Sequence, residues 1–163
     1  MTIQIDSREH KWEMARIQRQ LTAEGCKTIV SKLYVGDYQS LDNPRLVVDR
    51  KKDLQELCGN VCQQHERFRK ELIRAIDAGI SLIILVEHGP DVQTLEDVYF
   101  WDNPRRKDSP KATSGESLYR SLMTIRNKYN VRFEFCTKEE TGKKIMELLS
   151  NGEKEGQRMD KTL

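Results

Sequence analysis

The sequence lacks the features that membrane-spanning, secreted and nucleotide-binding proteins require. No stretch approaches the roughly 18 apolar residues of a membrane span, and the N-terminus lacks the basic and then apolar order of a secretory signal. Four cysteines in 163 residues are too few and too scattered for a disulfide scaffold. Glycine-rich phosphate loops of the Walker or dinucleotide type are absent. We therefore expect a cytoplasmic protein with no membrane contact and no nucleotide cofactor.

An excess of charge of one sign is also lacking. The formal net charge is only +2, although 33% of the residues are charged. This balance argues only weakly for nucleic acid, because a protein that coats DNA is usually far more basic. It leaves room for an enzyme with acids at its centre and basic residues around them. The length fits one domain, which we place at residues 1–150, followed by a flexible tail at 151–163.

Hydrophobic periodicity predicts alternating strands and helices. Residues 80–86 are almost continuously apolar, which is typical of a central parallel strand covered on both faces. Further strands are predicted at 2–5, 26–33, 38–41, 45–51 and 131–135, and helices at 10–24, 67–78, 114–128 and 137–149. The predicted order, with two helices between the strands at 45–51 and 80–86, is β-α-β-β-β-α-α-β-α-β-α. This order predicts an α/β fold with a mixed central β-sheet flanked by helices.

An acidic cluster on neighbouring strands carries the strongest chemical signal. Asp37 follows Gly36 at a turn, and Asp49 and Lys51 share one face of the next strand because strand side chains alternate. Two close carboxylates repel unless a cation lies between them, and Mg²⁺ or Mn²⁺ would satisfy them. With a lysine beside it, such a site contains the parts that phosphodiester hydrolysis requires. The alternative is a turn aspartate, a capping aspartate and a solvated lysine.

Three motifs in order place this cluster in a wider pattern. They are Asp6-Ser7-Arg8-Glu9, then Gly36-Asp37-Tyr38, then Val47-Val48-Asp49-Arg50-Lys51. The pattern resembles the nuclease domain of the XPF family of structure-specific endonucleases. The segment from His65 to Glu71 is similar to the Arg-Phe region that follows that family's central motif.

The resemblance implies a restriction-endonuclease-like, PD-(D/E)xK fold and a Mg²⁺- or Mn²⁺-dependent endonuclease that cuts duplex or branched DNA. It also implies a possible homodimer with two active centres. Position by position, it implies metal-associated carboxylates at Asp6, Asp37 and Asp49, a catalytic lysine at Lys51, and supporting or phosphate-binding arginines at Arg8 and Arg50. The role of Glu9 stays open.

The sequence departs from the family at two positions of the central motif. Asp49 stands where the family has Glu, and Gln55 stands where it has Asp, so Asp53 or Glu56 is a candidate replacement. The chain also stops before the family's usual helix-hairpin-helix modules, so we expect a stand-alone nuclease of phage or prokaryotic type. The second hypothesis is a non-catalytic DNA-binding or adaptor module that keeps the nuclease fold.

A long segment, residues 88–113, contains three prolines and does not fit a compact core. Its basic residues could bind the DNA backbone, and its aromatic cluster could stack on an unpaired base or pack on the domain. The basic candidates are Arg105, Arg106, Lys107 and Lys111, joined by Arg67 from the preceding helix, and the aromatic cluster is Tyr99, Phe100 and Trp101.

Two further patterns leave alternatives open. Cys58, Cys62 and His65 would share one face of a continuous helix, which permits a zinc site or simply buried structural cysteines. The apolar stripe of Leu118, Leu122 and Ile125 could be core or a subunit interface.

Overall fold

A computed structural model describes residues 1–160, with side chains described as far as Asn151. Strands β1 to β6 are Thr2–Ile5, Lys27–Val30, Tyr38–Ser40, Asn43–Lys51, Ser81–Glu87 and Arg132–Cys136. Helices α1 to α5 are Lys11–Ala23, Leu54–Cys62, His65–Asp77, Gly115–Tyr129 and Thr141–Asp160. Three 3₁₀ turns lie at Glu96–Phe100, Pro104–Lys107 and Lys138–Glu140. The element order matches the prediction.

The strands form one mixed sheet in the order β2-β1-β3-β4-β5-β6. Only β3 runs against the others, since it pairs antiparallel with both β1 and β4 while the remaining pairs are parallel. The ends of β1 and β4 and the start of β3 therefore meet at one edge. Ile5 pairs with Tyr38, and Tyr38 pairs with Val48. This register brings the residues just beyond these positions, Asp6, Asp37 and Asp49, into adjacent rows.

Helices cover both faces of the sheet. On one face Val47, Ile84 and Val86 pack with α2, α3 and α4. On the other face Val48 and Ile83 pack with α1 and α5. Each such buried aliphatic side chain contributes about 1.5–3 kcal/mol relative to exposure. Because β4 alternates, Asp49 and Lys51 continue the Val47 side, and Arg50 continues the Val48 side, as predicted.

The segment that the sequence indicated as a loop is partly built into the core. Its apolar residues Val92, Leu95 and Val98 are buried, and Trp101 is only 8% exposed. Of the two alternatives for the aromatic cluster, Trp101 follows the one in which it packs on the domain, whereas Phe100 is 83% exposed. These buried residues recur at every third position, which is the period of a 3₁₀ helix, and the 3₁₀ turn at Glu96–Phe100 lies among them.

The remaining alternatives are largely resolved by packing. Leu118 and Leu122 lie in the core, and Ile125 packs against it. Helix α2 ends at Cys62 and α3 begins at His65, so the cysteines and the histidine do not share one helix. Cys58 is buried, as the structural alternative expects, whereas Cys62 is exposed.

Several boundaries differ from the predictions, among them the end of β2, which lies at Val30 and not at residue 33. The closing helix begins at Thr141, after a 3₁₀ turn, rather than at residue 137. The predicted flexible tail at 151–163 falls almost entirely where side chains are not described, and 161–163 lie outside the described residues, so it stays a prediction. No helix in the described part of the chain is long and apolar enough to cross a membrane.

Candidate active site

Asp6, at the end of β1, connects two loops of the site. Its buried carboxylate accepts hydrogen bonds from Arg8 Nε at 2.9 Å and from the backbone N–H of Leu33 at 2.8 Å. Its own backbone N–H donates to the Asp37 carbonyl at 2.8 Å. Asp6 thus fixes the backbone that carries Asp37, while its side chain is occupied by Arg8. The metal role implied for Asp6 stays a prediction.

Asp37 is placed by a glycine turn. Gly36 has a φ of +72°, and a Cβ there would lie 2.3 Å from Val47 Cγ1, so only glycine fits this close approach to β4. The Asp37 backbone N–H then donates to the Val48 carbonyl at 2.9 Å, and its carboxylate accepts from the Arg50 N–H at 2.8 Å. These bonds hold the Asp37 carboxylate against β4.

Asp49 and Lys51 face this carboxylate from β4. Lys51 Nζ lies 3.0 Å from Asp49 Oδ2, and the ammonium also lies 5.8 Å from the centre of the Phe68 ring. Burial lowers the pKa of Lys51, but the charge and hydrogen bond of Asp49 outweigh it, so the net shift is upward. Lys51 is therefore a buried cation at neutral pH.

For Asp37, in contrast to Lys51, the surroundings favour the neutral form of the side chain. Burial raises its pKa well above the ordinary value, and the charges of Asp49 and Glu9 and a hydrogen bond with Asp49 raise it further. Only the bond from the Arg50 backbone N–H lowers it. Two carboxyl groups in contact, in a buried place, need a proton or a cation between them. The structure thus brings Asp37, Asp49 and Lys51 together as the sequence predicted.

Glu71 on α3 is a further acid that the sequence reasoning did not assign. Burial and then the charge of Asp49 raise its pKa, while Lys51 and Arg67 lower it. With Lys51 and Arg67 it lines a cavity of about 270 Å³. Its position three residues after Phe68 on the helix that follows β4 was the available signal, because residues at i and i+3 share a helix face.

Asp53 and Glu56, the two suggested replacements for the family's missing Asp, form hydrogen bonds at the start of α2. The Asp53 carboxylate accepts from the Glu56 N–H at 2.8 Å and caps α2, and the Glu56 carboxylate accepts from the Lys52 N–H at 2.9 Å. Such reciprocal bonding satisfies the free N–H groups at a helix start. Gln55 itself donates to the side chain of Asn103.

Arg50 lies on the opposite face of β4, in a buried ion-pair network. Its guanidinium donates to both Glu9 oxygens, at 3.1 and 2.8 Å, and lies 3.4 Å from Glu87. Arg16 binds Glu87 from α1 at 2.6 Å, and the Tyr38 hydroxyl donates to Glu9 at 2.9 Å. The resemblance also counts Arg50 among the catalytic residues, but its side chain lies in this network at the sheet edge, and it is the Arg50 backbone N–H that reaches Asp37. The same network gives Glu9 its role.

The predicted DNA-binding residues divide into those that line a cleft, cavity or depression and those that do not. Arg8 and Arg105 line a cleft of about 730 Å³, and Arg67 lines the cavity beside Lys51. Lys111 lies with Arg105 in a smaller depression near the cysteines of α2. Arg106 and Lys107 are exposed residues of the same 3₁₀ turn and do not line the cleft.

The residues present fit a hard divalent cation. Asp37 and Asp49 offer oxygen ligands, and Mg²⁺ commonly uses one or two carboxylates while keeping several waters. A preassembled cluster of three or more His, Cys, Asp or Glu ligands is not found among the described residues. A two-carboxylate site with retained water is the arrangement that these side chains support.

The mixed sheet, its register and the paired acids beside a lysine define an α/β domain of restriction-endonuclease-like fold. The chain belongs to the ERCC4 domain family, whose model matches residues 5–148. The resemblance to the XPF family seen in the sequence is confirmed.

Solved structures of similar fold come from an archaeal XPF. The protein is similar to XPF from Aeropyrum pernix, with 21% identity and a TM-score of 0.67, over 99% of this chain and 69% of that chain. It is equally similar to XPF from Aeropyrum pernix in complex with DNA, with 21% identity and a TM-score of 0.67, over 94% of this chain and 65% of that chain. The chain thus spans about two thirds of their length. No curated protein matches its sequence significantly.

Proposed function

We propose that this domain is a DNA endonuclease that hydrolyses phosphodiester bonds with Mg²⁺ or Mn²⁺. The observation that carries the proposal is the close approach of the half-buried carboxyl groups of Asp37 and Asp49, with the Lys51 ammonium 3.0 Å from Asp49. A bound divalent ion would lower the pKa of a water ligand and neutralise charge on the scissile phosphate. Those two carboxylates are the residues that would hold it.

The other site residues orient and stabilise. Lys51, kept protonated by Asp49, donates to the non-bridging oxygen on which negative charge grows. The Arg50 backbone N–H fixes one oxygen of Asp37, which leaves the other for a ligand. Glu71 adds negative charge beside Asp49 and is positioned to accept a hydrogen bond from a bound water.

DNA is the proposed substrate, in duplex or branched form. Support comes from the Aeropyrum pernix XPF that was solved in complex with DNA and from the basic residues around the site, Arg67 above all. A homodimer, in which two centres cut both strands, and a phage or prokaryotic setting are part of the same proposal and rest on the family resemblance.

A cleavage panel tests the proposal. Linear, nicked, flap and four-way DNA are incubated with Mg²⁺ or Mn²⁺ and the wild type, Asp37→Ala or Asp49→Ala. We expect metal-dependent cutting by the wild type and a loss of about 10²–10³-fold in each variant. Asp49→Glu restores the family's residue and should retain cutting with a changed metal requirement. Metal-independent cleavage, or wild-type rates in both alanine variants, would remove the mechanism.

A non-catalytic DNA-binding module is the second candidate. The observation that favours it is Gln55, which stands where the family has an acid and is hydrogen-bonded to Asn103 instead. Salt-sensitive DNA binding without cleavage across the whole panel would establish this alternative.

A further inference from the structure

The cleft beside the active centre is larger than the proposed chemistry needs. It has a volume of about 730 Å³ and lies next to the 270 Å³ cavity that contains Lys51 and Glu71. The two share Glu56, Asn60 and Gln64 of the α2 region as a common wall. A polymer that reaches the catalytic residues through the smaller cavity can therefore continue into the cleft.

Two of the three acids that line the cleft are compensated by the protein itself. Glu9 is bound by Arg50, and Glu13 is bound by Arg16. Arg16 lowers the pKa of Glu13 through a side-chain hydrogen bond, although burial opposes the shift. The Glu56 carboxylate accepts the Lys52 backbone N–H, which is an uncharged donor, so it keeps its negative charge. Of the three acids, Glu9 and Glu13 are therefore the ones that a guanidinium compensates.

The cations at the rim are free, in contrast. Lys52, Arg105 and Lys138 line the cleft from three separate elements. Within the described part of the chain, none of their side-chain cations takes part in an ion pair or a hydrogen bond. Free amines and guanidinium groups around largely compensated acids form a groove that attracts phosphates.

Arg105 is held at this rim by a buried amide. Asn103 is only 2% exposed, and all of its side-chain groups are bonded. Its oxygen accepts from Gln55 and from the Arg105 N–H at 3.0 Å, and its amide donates to the Thr113 carbonyl at 2.8 Å. The Gln55–Asn103 contact thereby ties the 3₁₀ turn of Arg105 to α2, directly after the strand of Asp49 and Lys51.

Gly115 fixes the other end of the same segment. A Cβ at Gly115 would lie 2.4 Å from the Trp101 carbonyl and 2.6 Å from the Val98 carbonyl, so the start of α4 packs directly on the segment's backbone. Arg105 is therefore presented from a rigid support and not from a free loop.

We propose that the cleft rimmed by Lys52, Arg105 and Lys138 binds the phosphate backbone of the DNA strand that leads to the active centre, with Arg105 positioned by the Gln55–Asn103 contact. The inference rests on the proposed function, because it assumes DNA at the adjoining site. It gives Gln55 a positioning role at the place where the family has an acid.

Binding without cleavage tests the cleft. Fluorescence anisotropy of a labelled duplex is measured in EDTA over a salt series, so that the DNA stays intact. The logarithm of the affinity falls linearly with the logarithm of the salt concentration. Arg105→Ala and Lys138→Ala should each reduce the magnitude of this slope by about 1. Arg45→Ala removes the same charge at the opposite end of β4 and should leave the slope unchanged. Equal slopes for Arg105→Ala and Arg45→Ala would overturn the proposal.

A double-variant comparison tests the positioning role. Gln55→Ala should reproduce most of the slope change of Arg105→Ala, and the double variant should add nothing to Arg105→Ala alone. Gln63→Ala removes the same side chain elsewhere in the cleft and should not change the slope. Additive effects, or an unchanged slope in Gln55→Ala with an unchanged melting temperature, would refute the contact's role.

The two proposals fail in different ways. If the wild type cuts DNA while the cleft variants bind with unchanged slopes, only the cleft assignment is lost. If the slopes change as expected but no metal or substrate gives cleavage, the cleft stands and the enzymatic function is lost.

Discussion

Consecutive residues of β4 place charge in two different surroundings. On one face, Arg50 is bound by Glu9 and lies near Glu87, so its buried charge is compensated by acids. On the other face, Asp49 contacts Asp37 and lies close to Glu71, and Lys51 is the buried cation among them. In the Arg50 network each acid has a guanidinium within ion-pair distance, and the network stabilises the sheet edge. The other keeps an excess of acid that an incoming cation would relieve, which is the mark of a functional site.

The compensated face should show the largest loss of stability when it is broken. Arg50→Met leaves the buried Glu9 side chain without its cation and Glu87 with Arg16 alone, and we expect it to lower the free energy of unfolding by about 3–5 kcal/mol. Urea unfolding measures the change. Arg45→Met, on the exposed end of the same strand, should stay within about 0.5 kcal/mol of the wild type. A small effect of Arg50→Met would show that the network is not the structural support described above.

A substitution on the other face of β4, where Asp49 and Lys51 lie, should lower the rate of DNA cleavage. Lys51→Met removes the cation beside Asp49, and we expect cleavage to fall about 10²–10³-fold at saturating Mg²⁺. Single-turnover rates on the best substrate of the panel measure the loss. Lys27→Met, on the edge strand β2, serves as the matched control for a lost lysine. Cutting by Lys51→Met at the wild-type rate would contradict the role of Lys51.

Neutralising one acid on each face should change stability in opposite directions. Asp37→Asn keeps the acceptor for the Arg50 N–H but removes the repulsion with Asp49, so it should stabilise the metal-free protein by about 1–2 kcal/mol while abolishing cleavage. Glu9→Gln should destabilise it, because Arg50 loses its partner. Thermal melting in EDTA gives both signs in one experiment.

The pH dependence of the first variant follows from the raised pKa of Asp37. The folded protein holds a proton that the unfolded chain releases at lower pH, so wild-type stability falls as pH rises from the unfolded value towards the folded one. The advantage of Asp37→Asn should therefore be absent below about pH 4 and largest at neutral pH. An advantage that is the same at all pH values would exclude Asp37 as its source.

Sequence alone could predict the parts of this arrangement that local geometry determines. Strand alternation placed Asp49 and Lys51 on one face, and the Gly36 turn brought Asp37 back to β4. It could not predict which charges would be compensated, because Glu9 and Glu87 reach Arg50 from distant strands and loops. Periodicity also did not predict the burial of Trp101, because this residue lies beside a 3₁₀ turn in a segment rich in proline and charge.

The smallest expected effect belongs to Glu71, at the border of the uncompensated face. Glu71→Gln keeps the size of the side chain and its capacity to hydrogen-bond a water, but removes one negative charge near Asp49. We expect the Mg²⁺ concentration for half-maximal cleavage to rise about tenfold, the lower end of the effect of residues that tune a metal site. The rate at saturating Mg²⁺ should change little, because Asp37, Asp49 and Lys51 are intact.

Glu66→Gln provides the control, since it removes the same charge from an exposed position of α3. If the charge of Glu71 acts through the cation, a Mg²⁺ titration separates the two variants while their rates at saturation agree. Should Glu71→Gln instead lower the saturated rate as much as Lys51→Met, Glu71 would belong to the chemical step. The residues that act in the chemical step would then include Glu71 on α3 as well as Asp49 and Lys51 on β4.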